Sequence, residues 1–295
     1  MIVSASRRTD LPAFYAPWLM NRLRAGEVLV PYPRRRMRLA RIGLAPGQVE
    51  ALLFWSKNPA PLLPFLDELE ARGLTCLLQY TLNPYGTALE PALPPLSVRL
   101  ETLHAFAARW GAQKIVWRYD PIIVTAAFPA VWHAEQFEKL CKEVAGAVRG
   151  CVISFVDGYR HLRGAFDEVD ETTMRGIARA FAGIAGRFGL PLTTCAEPLD
   201  LEEFGIMHGA CIDGNWLREV TGRPFSFRKD PGQRAACRCV ASVDIGAYDT
   251  CLHGCAYCYA TTSAALCARR HAVHHPDSPL LIGYPQGTET IIDRL

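Results

Sequence analysis

Short apolar runs recur along the chain at 2–5, 51–55, 75–82, 114–117, 151–156 and 190–194. Each is rich in strand-forming residues and too short for a core helix. Stretches with three- and four-residue apolar spacing lie between them. Residues 60–72, "APLLPFLDELEAR", read as a helix ending at Gly73, and 96–110, 134–148 and 172–188 read the same way. Strands alternating with helices require crossover connections, which make the strands parallel neighbours in one sheet. No linker or composition break appears before about residue 200. The expected organisation is one domain over 1–262, with a Cys-rich region at 195–262 and an extension at 263–295.

The residues that follow each run are polar in a specific way. "IVSAS" leads into Arg7, Arg8 and Asp10; "LLFW" into Ser56, Lys57 and Asn58; "LLQYTL" into Asn83. "KIVW" leads into Arg118 and Asp120, "VISFV" into Asp157 to Arg160, and "LTTC" into Glu197. Strand ends that only reach water favour Ser, Gly and Lys. Repeated Arg, Asp, Lys-Asn and Glu beside prolines and aromatics instead suggest one functional face, since parallel strands of a barrel share that end.

Composition narrows the class further. Half of the 295 residues are apolar, 21% are charged and the net charge is +3, too small to imply a polyanionic partner. The basic cluster at Arg34–Arg38 reads as a solvated loop. No apolar run is long enough to cross a bilayer, and the N-terminus lacks the pattern of a signal peptide. The expectation is a soluble, cytoplasmic monomer. Eleven cysteines in such a chain point to metal or thiol chemistry rather than disulfides. Cys76, Cys141 and Cys151 lie scattered in apolar surroundings and read as buried structural thiols. Seven others crowd the last third: Cys195, Cys211, Cys237, Cys239, Cys251, Cys255 and Cys258.

The loop "TCLHGCAYCYA" spaces Cys251, Cys255 and Cys258 as C-x-x-x-C-x-x-C. Three thiolates can hold a [4Fe-4S] cluster by three corners and leave the fourth iron to a non-protein ligand. This spacing, with the aromatic Tyr257 before the last Cys, resembles the signature of radical S-adenosylmethionine (SAM) enzymes. Residues 51–122, with "FWSKNPAPLL", "YTLNPYGTALEP" and "WRYDPII", resemble the spore-photoproduct-lyase branch in the order of Glu90-Pro91, Arg99 and Asp120-Pro121. In that superfamily the Cys loop follows the first barrel strand; here it comes last. The resemblance therefore implies a partial (β/α) barrel of six to seven parallel strands, circularly permuted so that the first strand and its Fe–S loop are C-terminal. The whole chain to about residue 262, including "SASRRTD", "ISFVD", "TCAE" and "HGACID", also resembles a bacterial family known as a domain of unknown function.

The resemblance implies a [4Fe-4S] cluster on Cys251, Cys255 and Cys258, with SAM as cofactor and a flavodoxin- or ferredoxin-type electron donor. Asp10, Asn58, Asn83 and Tyr257 are then expected to contact the cofactor, and Lys57, Arg118, Asp120 and Glu197 to serve the chemistry. Cys195, Cys211, Cys237 and Cys239 are candidates for an auxiliary [4Fe-4S] cluster, a zinc ion, or buried structural thiols. The substrate is open, nucleic acid included. Two further readings compete. One is a metal-stabilised nucleic-acid-binding module using Arg7, Arg8 and Arg34–Arg38. The other is a barrel hydrolase with Asp120 or Glu197 as general base.

Overall fold

The computed structural model describes residues 1–32, 37–158, 162, 165–224 and 227–294. Most of the Arg34–Arg38 cluster, together with Tyr159 and Arg160, lies outside the described residues.

In chain order the strands and α-helices are β1 (Ile2–Ala5), α1 (Leu11–Phe14), α2 (Ala16–Ala25), β2 (Glu27–Pro31), β3 (Arg38–Gly43), β4 (Ala51–Ser56), α3 (Leu66–Ala71), β5 (Cys76–Thr81) and α4 (Leu96–Trp110). There follow β6 (Ile115–Ile122), α5 (Ala130–Val144), β7 (Cys151–Phe155), α6 (Glu171–Arg187), β8 (Leu192–Cys195), β9 (Met207–Gly209), α7 (Gly214–Thr221), β10 (Val243–Asp244), α8 (Ala264–Ala272) and β11 (Thr290–Arg294). Eight strands form a parallel sheet in the order β10-β1-β4-β5-β6-β7-β8-β9, against the six to seven expected. All six apolar runs are strands of it. The expected helix at 60–72 is instead a 3-10 turn over Ala60–Phe65 followed by α3. Pro64, inside that stretch, has no N–H for an α-helical bond. Helix α5 begins four residues earlier than its periodicity predicts, directly after Pro129.

The chain divides into two compact units. One comprises 1–77, 242–254 and 260–295; the other comprises 78–241 and 255–259.

In the first unit, β1 has two parallel neighbours, β4 and β10, with Val3 opposite Val243 and Ser4 opposite Asp244. Helix α1 is capped by the Asp10 carboxylate, which accepts from the Ala13 amide. Helix α2 stops at Gly26, whose φ of 75° provides the left-handed cap. A second sheet, ordered β11-β3-β2, pairs β2 and β3 antiparallel and adds β11 parallel to β3. The segment after 262 is thus folded into this unit. It supplies α8, β11 and Leu280, which packs with Leu29 and Leu39. The buried Trp18 indole donates to the carbonyls of Ser278 and Leu280.

In the second unit, β6 to β9 pair in sequence order, all parallel. The core beneath them is aromatic. Phe137 of α5 stacks on Phe181 of α6 with ring centroids 3.9 Å apart, and on Trp117 of β6 at 5.1 Å. The buried His133 satisfies both ring nitrogens, Nδ1 with the Tyr119 hydroxyl and Nε2 with the Ile123 carbonyl, each at 2.9 Å. Among the described residues, no helix is long and apolar enough to cross a membrane.

Candidate functional site

The first unit holds a buried polar cluster just past the ends of β1 and β4. The Asp10 side chain is only 6% exposed. Its oxygens accept from the Ser56 hydroxyl at 2.7 Å, the Lys57 amide at 2.8 Å, the Ala13 amide at 3.0 Å and His253 Nε2 at 2.8 Å. Ser56 Oγ in turn accepts from the Asn58 amide. Asp10 therefore fastens the turn after β4 and the Cys loop to the start of α1, and its acceptor sites are taken by protein groups. Of the expected site residues, the structure brings the Asp10 carboxylate to the Lys57 backbone amide directly and to the Asn58 amide by way of Ser56 Oγ. Cys251 belongs to the same unit and is half-buried.

A second carboxylate, Asp244 in β10, ties that strand to β1. It accepts from Ser4 and Ser6 hydroxyls at 2.7 and 2.6 Å and from the amides of Arg7 and Gly246 at 2.8 and 3.0 Å. Four donors satisfy a buried charge that would otherwise be costly. Neither His253 nor Asp244 was among the residues expected from sequence. The signal for Asp244 was a lone charge inside an apolar strand-like run, and for His253 a titratable ring between two spaced cysteines.

In the second unit the polar groups gather at the C-terminal ends of β6, β7 and β8. Arg118 makes an ion pair with Asp120 through Nε and Nη2, and Asp120 also accepts from the Ser154 hydroxyl. Arg118 Nη1 lies 3.0 Å from Cys211 Sγ. Burial opposes the guanidinium charge, yet Cys211, Asp120 and Cys195 hold its pKa well above the usual value. Cys195 Sγ is 2.7 Å from Cys211 Sγ, and Cys211 shares a further side-chain hydrogen bond with Cys239. The contact with Cys211 and then burial push the Cys195 thiol up. For Cys211, Cys195 lowers the pKa while Cys239 and burial raise it, leaving it at about 11. Cys239 accepts from the Ile212 amide, and Cys237 is buried two residues away. Among the described residues, no three or more His, Cys, Asp or Glu side chains are grouped so as to hold a metal ion.

Glu197 follows Cys195 across Ala196, a non-glycine residue held at φ 53°. Burial raises the pKa of its carboxyl, helped by Asp157 and opposed by the Phe155 amide and Arg234. Asn83 is fully committed: its side chain donates to the Asp120 carbonyl and the Tyr257 hydroxyl and accepts from the Asp120 amide. Tyr257 donates to Glu90, whose other oxygen faces Arg99 at 3.6 Å. Burial, then the Glu90 charge, keeps the Tyr257 phenol protonated. Asn83 and Tyr257 thus anchor the segment carrying the half-buried Cys255 and Cys258 to this unit, and the Ala256 amide adds a bond to the Leu89 carbonyl.

Among curated proteins, none matches the sequence. A solved structure of Rhizobium etli pyruvate carboxylase with the allosteric activator acetyl coenzyme A is similar over 75% of this chain, at 12% identity and a TM-score of 0.32. The chain spans 24% of that protein, and a likeness at this level carries no argument about either fold or activity. The family model for Domain of unknown function (DUF1848) matches residues 2–260, from the first residue of β1 to just past the Cys loop, and the chain belongs to that family.

Proposed function

We propose that this protein is an iron–sulfur enzyme of the radical SAM type, a circularly permuted partial barrel acting on a substrate still to be identified. The observation that carries the reading is the C-x-x-x-C-x-x-C loop with Tyr257 before its last cysteine. All three of its cysteines are half-buried, whereas Cys76, Cys141, Cys151 and Cys267 are buried. By donor chemistry, three thiolates at this spacing suit a cluster held by three corners. The parallel pairing of β10 with β1 supports the permutation, since the strand leading into the Cys loop then neighbours the strand at the chain start.

Cys251, Cys255 and Cys258 would hold the cluster, which when bound would supply one electron for reductive cleavage of SAM. The chain's own residues divide the remaining work. Asp10, Asn83 and Tyr257 position the Cys loop. Lys57 and Asn58 offer side chains for the cofactor or substrate. Arg118 and Asp120 present a buried, paired charge, and Glu197 presents a carboxyl with a raised pKa suited to proton transfer. The test is anaerobic reconstitution with iron and sulfide, then reduction by dithionite or a flavodoxin-type donor. SAM should yield 5′-deoxyadenosine with the parent protein and none with Cys251, Cys255 and Cys258 all replaced by Ala. Equal cleavage by the triple variant would end the reading. The half-buried Glu197 also favours a hydrolase that uses it as general base; turnover without any reductant would select that alternative.

A further inference from the structure

Strands β8 and β9 run parallel with Cys195 opposite Gly209, and Cys211 follows two residues after that pairing. The sulfurs of Cys195 and Cys211 are 2.7 Å apart. A disulfide bond is about 2.04 Å long and links side chains on neighbouring backbones, so closure asks for an approach of roughly 0.7 Å. Cys195 is half-buried, whereas Cys211 is only 6% exposed. Both cysteines lie in the second unit, as do Gln79, Arg118, Asp120 and Cys239.

The surroundings of Cys211 favour a bridge that opens again. Arg118 Nη1 lies 3.0 Å from Cys211 Sγ, and the guanidinium is itself held by Asp120. The Gln79 side chain donates to the Cys211 carbonyl at 2.7 Å and accepts from Arg118 Nη1 at 3.4 Å. The sulfur of a reduced cysteine is a better hydrogen-bond acceptor than that of a disulfide, so the Arg118 contact stabilises the reduced pair. A dithiol whose reduced form is stabilised makes a disulfide that is readily reduced. Cys151 shows the structural alternative: it is 1% exposed, and its thiol turns to the Val152 carbonyl.

We propose that Cys195 and Cys211 form a reversible dithiol site whose co-substrate is a low-molecular-weight disulfide. The more exposed Cys195 exchanges first. Its sulfur bonds to one sulfur of the small disulfide, whose S–S bond breaks and releases one thiol. Cys211 Sγ then bonds to Cys195 Sγ and expels the second thiol. Over the two steps the protein loses two electrons and two protons, and the small disulfide gains both as two thiols. The closed bridge weakens the acceptor that Arg118 meets. None of the loop cysteines takes part, so the site stands apart from the iron–sulfur reading.

The experiment incubates full-length protein with oxidised glutathione, unfolds it, blocks the remaining thiols with a maleimide and maps the peptides by mass spectrometry. The expected result is a peptide pair joined through Cys195 and Cys211, which separates again when the oxidised protein is first treated with reduced glutathione. In Cys211→Ser the reaction should stop one step earlier, with glutathione retained on Cys195, an outcome that a merely structural thiol would not give. Finding Cys195 and Cys211 both blocked by maleimide would overturn the proposal, whether burial or a bound metal had kept them reduced. A bridge from Cys211 to Cys239 would overturn it too, as would a bridge that reduced glutathione leaves closed. A folded Cys211→Ser protein with no glutathione on Cys195 would refute the order of attack and with it the site. The parent mapping needs no variant, so a Cys211→Ser protein that fails to fold does not protect the idea.

Discussion

Glu197 shows how one side chain reports on its surroundings. Burial raises its pKa, so between the ordinary glutamate value of 4.5 and the raised value the folded protein binds more protons at this site than the unfolded chain does. Stability must then fall as pH rises through that window, because ionisation is harder in the folded state. Glu197→Gln removes this contribution. Urea midpoints measured from about pH 4.5 upward should therefore fall less steeply in the variant than in the parent. Gly246 makes a different single-residue test. A Cβ placed there would lie 2.1 Å from Ser6 Oγ and 2.6 Å from Ser6 Cβ. The second atom cannot swing aside by a rotamer change, and Ser6 is also held by Asp244. Gly246→Ala is expected to cost about 1–3 kcal/mol, read from chemical denaturation.

Strand β11 and the segment before it show how an element late in the chain completes an early one. Strand β3 is central in its sheet because β11 covers its outer edge, with Ile291 opposite Leu39 and Ile292 opposite Ala40. Leu280 closes the small core with Leu29 and Leu39, and the carbonyls of Ser278 and Leu280 receive the Trp18 indole. Leu280→Ala should destabilise the protein by about 2–3 kcal/mol through lost burial and the cavity left behind. A chain cut after Val273 loses that side chain, the indole's acceptors and the cover on β3. It should expose an unpaired strand edge and become prone to aggregation, as light scattering would show. A soluble truncated protein with an unchanged urea midpoint would contradict this account.

At the scale of the whole molecule, the prediction concerns metal content. Reconstituted parent protein should carry about four irons in the Cys loop. If Cys195, Cys211, Cys237 and Cys239 also hold a centre, metal analysis should find about four further irons or a single zinc. Cys211→Ser should then lose only that second complement and keep the SAM-responsive one. Metal content identical in parent and Cys211→Ser would leave these four thiols outside any metal centre. The contact between Cys195 and Cys211 and the Arg118 guanidinium beside them make Cys211 the residue on which the test turns.

The alternation of apolar runs with helical spacing determined six of the eight sheet strands, their parallel sense and helix α4 over 96–110, because burial on a regular element imposes a period that a sequence must carry. The C-x-x-x-C-x-x-C spacing of the Cys loop is likewise visible in the chain itself. The antiparallel pair β2–β3 went unread because its strands mix charged and apolar positions. The pairings that define the site depended on tertiary structure alone. Asp10 meets His253 across 243 residues, and Asp244 meets Ser4 and Ser6 across 240 and 238. Spacing along a chain records which residues are buried together on one element. It holds no record of which distant strand will lie alongside, so the partner of each buried charge was decided only when β10 settled against β1.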